Sequence, residues 1–245
     1  MAGFKKSLNK EYVTSTGTVV KRLISGRCNV YLISGNSVNI IIDTSTKRNY
    51  KDLLQAIDAN GISRIDYLII THLHFDHIAN AAELKKRYGL KILINKNAES
   101  LLSDNLNEKI AGTNIFTSFI SFLTRTFKSL ISYSSFEADI LVENNFLLDN
   151  LGINGMILFT PGHTPHSISI IIENEVAIVG DTLFGVFKDK IFPPYAEDVT
   201  ELIKSWKALL KTDVKLFLPG HGLEISRDTF EKEFIKKRES LGLRF

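Results

Sequence analysis

The chain has 245 residues, 44% of them hydrophobic, which is enough apolar material for one enzyme-sized unit with its own core. Its 30 basic and 27 acidic residues are spread along the sequence, and short basic clusters such as Lys85, Lys86 and Arg87 fall on amphipathic helices, which argues against a nucleic-acid surface. No run approaches the roughly 18 apolar residues of a membrane span, and the start MAGFKKSLNKEY lacks a signal-peptide pattern, so the chain is read as cytoplasmic.

In chain order, residues 17 to 43 read as three strands of a meander, GTVVKRLI, CNVYLIS and VNIIIDT, broken by Gly26 and by Gly35 with Asn36. Leu53, Leu54 and Ile57 at helical spacing predict a helix over 49–59, stopped near Gly61. The strand DYLIITH follows, then a helix over about 78–88 ended by Gly89, then the strand KILIN. This alternation describes βαβ units with nearly continuous apolar strands.

A helical insertion is expected at about 97–136. Its part from 114 to 136, with Phe119 and Phe127 among its apolar residues, reads as an amphipathic helix serving as a lid, a homodimer contact or core packing. Strands ADILV, NFLLD, INGMILFT, SISIIIE and EVAIVGDT come next, then a helix over 199–210, the strand VKLFLPG and a last helix over 227–241. IIIDT and AIVGDT are both apolar strands ending in Asp-Thr, which suggests two related layers facing each other in a single domain over 1–245.

The chemistry is carried by strand ends. THLHFDH places His72, His74, Asp76 and His77 directly after an apolar strand. Side chains two apart in an extended backbone project to one side, so His72 and His74 can grip one ion while Asp76 and His77 turn toward another. His163 in TPGHTPHS, Asp181 in VGDTLF and His221 in LPGHG each follow a further apolar strand. Only His166 of the six histidines falls outside this set, and Cys28 is the only cysteine, so histidine and carboxylate must supply any metal ligands. Such all-N/O ligation suits Zn2+ best, with Fe or Mn as alternatives.

THLHFDH followed by PGH, GDT and PGHG in that order, together with IIIDT, resembles the metallo-β-lactamase superfamily from about Thr18 to His221. The resemblance implies an α/β fold, a four-layer αβ/βα sandwich of two mixed β-sheets with helices on the outer faces. It implies that His72, His74 and His163 hold a first metal, that Asp76, His77 and His221 hold a second, and that Asp181 bridges them. Two Zn2+ per chain would then share a hydroxide, with Asp76 orienting it and passing its proton to the leaving group. Asp43 is expected to support a ligand histidine or a nearby loop. His166 and Tyr195 are expected near substrate or behind the ligands.

The implied activity is hydrolysis of a small ester, lactone or thioester, with acyl-homoserine lactonases the nearest comparison for THLHFDH. Only 24 residues follow His221, so a helical glutathione-binding domain is not expected and a glutathione thioester is a poor first guess. A phosphodiesterase and a mononuclear iron persulfide dioxygenase are the rivals within the fold. A non-catalytic binding protein is disfavoured because all seven ligand positions are filled.

Overall fold

The computed structural model describes residues 10–25, 28–35, 37–103, 134–188 and 190–244. Strands β1 (Lys10–Val13), β2 (Val19–Ile24), β3 (Val30–Ser34), β4 (Asn39–Ile42), β5 (Tyr67–Ile69), β6 (Lys91–Asn95) and β7 (Ile140–Val142) form one sheet in chain order. β1 to β4 pair antiparallel and β4 to β7 parallel. A second sheet holds β8 (Phe146–Leu147), β9 (Gly155–Phe159), β10 (Ile168–Ile172), β11 (Val176–Gly180), β12 (Leu216–Pro219) and β13 (Ile225–Ser226), with only β11 and β12 parallel. Parallel neighbours require crossovers. Helix α1 (Tyr50–Ala59) supplies the one before β5, and α2 (Phe75–Ile78) with α3 (Ala81–Tyr88) the one before β6. Helix α4 (Glu99–Ser103) follows β6, α5 (Val199–Leu210) joins β11 to β12, and α6 (Arg227–Ser240) closes the chain.

Strand periodicity builds four layers. In β3, Val30 and Leu32 join the cluster that packs under α1 and α3, whereas Tyr31 and Ile33 face the opposite sheet. In β11, Val176 and Ile178 meet that inter-sheet core while Ala177 and Val179 pack with Trp206 and Phe230 beneath α5 and α6. Both faces of these strands are buried, which is why they read as unbroken apolar runs instead of alternating ones. The expected architecture of two mixed sheets with outer helices is the one found.

Boundaries differ locally. The predicted helix over 78–88 begins earlier, at Phe75, and is interrupted at Ala79 and Asn80. The Asn80 amide donates to the carbonyls of Thr44, Ser45 and Thr46 at 2.8, 3.2 and 3.0 Å, so it serves the loop after β4 and not a continuous helix. β1 was not anticipated, and NFLLD yields two strand residues before a 3-10 turn at Leu148–Leu151. Most of the expected insertion, including Phe119 and Phe127, lies outside the described residues. No helix among the described residues is long and apolar enough to cross a membrane.

Candidate metal centre

The two Asp-Thr strand ends lie on facing sheets. Beyond β4, Asp43 and Ser45 take φ of 60° and 59°, so the serine occupies the left-handed backbone region that a glycine would fill more cheaply. Strain of roughly 1–2 kcal/mol per residue is tolerated because the loop is heavily hydrogen-bonded. Thr44 donates from its N–H and its hydroxyl to the His77 carbonyl at 2.7 and 2.8 Å, which ties the loop to α2.

The loop containing His163 is held against α5. A Cβ on Gly162, whose φ is 125°, would sit 2.2 Å from the Leu202 nitrogen, so only glycine permits this approach. Ser205 of α5 donates to the Pro161 carbonyl at 2.7 Å, and Trp206 donates from its indole to the Thr182 carbonyl at 2.6 Å, beside Asp181. Asp198 caps the same helix by accepting from the Glu201 N–H. The loop after β12 lies against the candidate ligands themselves: a Cβ on Gly220 would lie 2.4 Å from Asp181 Oδ1 and 2.7 Å from His77 Cε1.

These loops bring all seven predicted ligand side chains together. His72, His74, His163 and Asp181 form one group and Asp76, His77 and His221 another, each with donor atoms within 4.8 Å of one another. His74 Nδ1 lies 3.0 Å from His72 Nε2 and 3.1 Å from His163 Nε2. Asp181 joins the groups, with Oδ1 3.5 Å from His77 Nε2 and Oδ2 3.7 Å from His163 Nε2 and 3.3 Å from His221 Nε2. Asp76 Oδ2 is 3.4 Å from His221 Nε2. Two donors about 2.0–2.1 Å from one tetrahedral ion stand about 3.3–3.4 Å apart, so these separations fit ions of zinc size. His77 Nε2 and Asp181 Oδ1 are buried without a hydrogen-bond partner among the described residues, a costly arrangement unless a cation takes their lone pairs.

The hydrogen bonds behind the cluster decide which ring nitrogen faces it. The Asp43 carboxylate can only accept: Oδ1 from the Thr71 N–H, Oδ2 from the Thr71 hydroxyl and from His77 Nδ1, each at 2.8 Å. His77 Nδ1 is therefore the donor to Asp43, and Nε2 is the nitrogen that faces the cluster. The Thr71 proton is already committed to Asp43, so His72 Nδ1, 3.0 Å from that hydroxyl oxygen, must be the donor there, which frees His72 Nε2 as well. His163 Nδ1 donates to the Tyr195 carbonyl at 2.7 Å. Each contact fixes tautomer and ring orientation in the way metal-ligating histidines require.

Electrostatics divide the site. Burial, then the neighbouring histidines, lowers His72 and His74 well below the usual histidine range, and burial also lowers His163. These rings are neutral at pH 7, as metal ligation demands. For His77 burial works against charge, but Cys28, Asp43 and Asp181 raise it well above its ordinary value. Burial likewise opposes charge on His221, which Asp181 and Asp76 nevertheless raise. Asp181 is buried too, yet His221 and His77 hold it well below the usual carboxylate range.

His166 and Tyr195 make contacts behind the candidate ligands. The buried His166 Nε2 accepts from the Leu73 N–H at 3.1 Å, so this ring braces the THLHFDH loop. The Tyr195 backbone carbonyl accepts from His163 Nδ1. Sequence reasoning missed Thr71 and Cys28. The Cys28 sulfur lies 3.5 Å from His77 Nδ1, and these two residues with Asp43 form a third potential ligand group. That group uses the nitrogen already donating to Asp43, and burial pushes the thiol up to about 12, so it is a hydrogen-bonded support.

A four-layer αβ/βα sandwich with histidines and aspartates gathered at facing strand ends defines a class of metal-dependent hydrolases. Residues 24–221 match the sequence profile of the Metallo-beta-lactamase superfamily, and the chain belongs to that superfamily. It is 30% identical over 198 residues to a probable metallo-hydrolase of Methanocaldococcus jannaschii, covering 79% of this chain and 87% of that one. It is 32% identical over 174 residues to a hydroxyacylglutathione hydrolase of Haemophilus influenzae, covering 69% and 74%. The crystal structure of the BLEG-1 B3 metallo-beta-lactamase superposes with a TM-score of 0.68 at 19% identity, covering 87% and 96%, which establishes the fold. The protein is a metal-dependent hydrolase whose histidine and aspartate groups bind divalent metal.

Proposed function

We propose that the chain is a dinuclear zinc hydrolase acting on a small thioester, with esters and lactones as the neighbouring substrate classes. His72, His74 and His163 would hold one ion, Asp76, His77 and His221 the other, and Asp181 both. The observation that carries this reading is the position of Asp181, whose two oxygens lie 3.3 to 3.7 Å from histidines of both groups. Iron or manganese would accept the same N/O donors. The relatives named as hydroxyacylglutathione hydrolases move the preference from lactone to thioester, against the expectation drawn from the short stretch after His221.

When bound, the cations would supply Lewis acidity toward a carbonyl oxygen and lower the pKa of water to about 7. The chain's own residues do the rest. Asp43 holds His77 directly and His72 through Thr71, and the Tyr195 carbonyl holds His163. Asp76 is the more open of the two ligand carboxylates, 17% exposed against 8% for Asp181. Its carboxylate is therefore the group that takes a proton from the attacking water and returns it to the leaving thiolate.

A substrate panel tests the proposal: a hydroxyacyl-glutathione thioester, an acyl-homoserine lactone, a nitrophenyl ester and bis(nitrophenyl) phosphate. Each is assayed before chelation, after it, and after Zn2+ is restored. Thioester turnover that chelation abolishes and Zn2+ restores is expected. Turnover confined to the phosphodiester, or unaffected by chelation, would contradict it.

A further inference from the structure

The loop Pro219-Gly220-His221-Gly222 belongs to the second sheet, but its carbonyls are satisfied mainly from the first. The Asn29 N–H donates to the Gly220 carbonyl at 2.6 Å, and the Asn29 side-chain amide donates to the Pro219 and Gly222 carbonyls at 2.9 and 3.0 Å. The Tyr31 hydroxyl donates to Pro219 at 2.8 Å, and Arg22 Nη1 donates to Gly222 at 3.2 Å. The His221 carbonyl accepts from the Gly185 N–H at 2.8 Å, so each of the four loop carbonyls has a donor.

The three donor side chains are almost fully buried: Asn29 is 1%, Tyr31 2% and Arg22 2% exposed. Arg22 Nε and Asn29 Oδ1 have no hydrogen-bond partner among the described residues. Burying a guanidinium and an amide with such incomplete satisfaction costs stability, and a purely structural core would be better served by apolar residues. Apart from the Cys28 thiol, which donates to the Asn29 carbonyl at 3.3 Å and lies 3.5 Å from His77 Nδ1, the contacts reach a candidate ligand only through this loop. They end on the backbone that carries His221, at a place where Gly220 already touches Asp181 and His77.

We infer that Asn29, Tyr31 and Arg22 are positioning residues that clamp the His221 loop across the two sheets and so set the affinity of one cation site selectively. This rests on the dinuclear reading above. Toward the loop the clamp donates only to carbonyls, while the Asn29 amide also donates to the Tyr31 hydroxyl at 3.1 Å, so His221 Nε2 is placed opposite Asp76 and Asp181 without altering the charge of the donor set. His72, His74 and His163 are held from elsewhere, by Thr71 and by the Tyr195 carbonyl among others, so their ion meets the clamped loop only through the shared Asp181.

The test is calorimetric titration of the chelator-treated full chain with Zn2+, comparing the parent with His221→Ala, Tyr31→Phe and Asn29→Asp. His221→Ala identifies the binding event that depends on His221. That same event should weaken by about 10-fold or more in Asn29→Asp, whose carboxylate faces the loop carbonyls, and by a smaller factor in Tyr31→Phe, which loses one hydroxyl, consistent with the usual 10–100-fold effect of such supports. The other event should stay within about twofold of the parent. A merely structural role would weaken both events together or change only the melting temperature, and either result overturns the inference. If Asn29→Asp does not fold, Tyr31→Phe decides alone. Two unchanged events in His221→Ala would instead refute the dinuclear ligand assignment, so the two failures are distinguishable.

Discussion

Replacing Asp43 by Asn exchanges one oxygen of a buried carboxylate for an NH2 group and leaves shape, volume and the left-handed backbone conformation, which Asn tolerates, nearly unchanged. The parent carboxylate accepts three hydrogen bonds at 2.8 Å. If the amide keeps its oxygen toward the Thr71 N–H, the NH2 faces both the Thr71 hydroxyl and His77 Nδ1. The hydroxyl must then accept, and its proton turns toward His72 Nδ1. Both rings would carry protons on Nε2, the atoms that face the cation sites. The opposite amide orientation sets NH2 against the Thr71 N–H and leaves a buried donor unsatisfied. Either route costs about 1–3 kcal/mol, or roughly 5- to 150-fold in affinity. Zn2+ competition with a chromophoric chelator should therefore show both cation sites weakened by about 10-fold or more, because His72 and His77 lie in different groups. Parental affinity at both sites would refute the tautomer argument.

Two further outcomes follow from the same geometry. Burial, with a smaller contribution from His163, lowers His166 to about 3, so the unfolded chain takes up a proton below its ordinary 6.5 while the folded chain does not. The stability His166 contributes is thus present above 6.5 and lost as pH falls toward 3. Urea denaturation should show the parent losing about 2 kcal/mol more than His166→Gln between pH 7 and pH 5, and an equal loss in both proteins would refute it. Gly220→Ala should lower Zn2+ affinity by about 10-fold or more, because its methyl group would displace Asp181 Oδ1 and His77 at a cost of about 1–3 kcal/mol. Unchanged binding in a folded variant would contradict the close packing of that loop.

Much of this was legible because the candidate ligands sit at the ends of strongly apolar strands. THLHFDH, PGH, GDT and PGHG each follow such a strand, and folding the strands into facing sheets brings the four segments together. Asp43 was legible through its place at the end of IIIDT. The supports were not. Asn29 and Tyr31 meet Pro219 across 190 and 188 residues of sequence, and no local spacing encodes that pairing. Tyr195 is among the residues expected near the site, but its contribution is a carbonyl that any residue would provide. The early start of α2 escaped because His74, its N-cap residue, makes no side-chain capping bond. A four-residue helix is also too short for periodicity to reveal.

In the proposed dinuclear centre, Asp181 joins two cation sites built from the other six candidate ligands. Metal analysis of the chain purified without added metal and then loaded with Zn2+, beside Asp181→Ala treated identically, tests it most directly. About two equivalents per chain are expected for the parent, falling toward one in the variant, with activity reduced by about 100-fold or more. One equivalent in the parent, or two retained with undiminished turnover after Asp181→Ala, would contradict it.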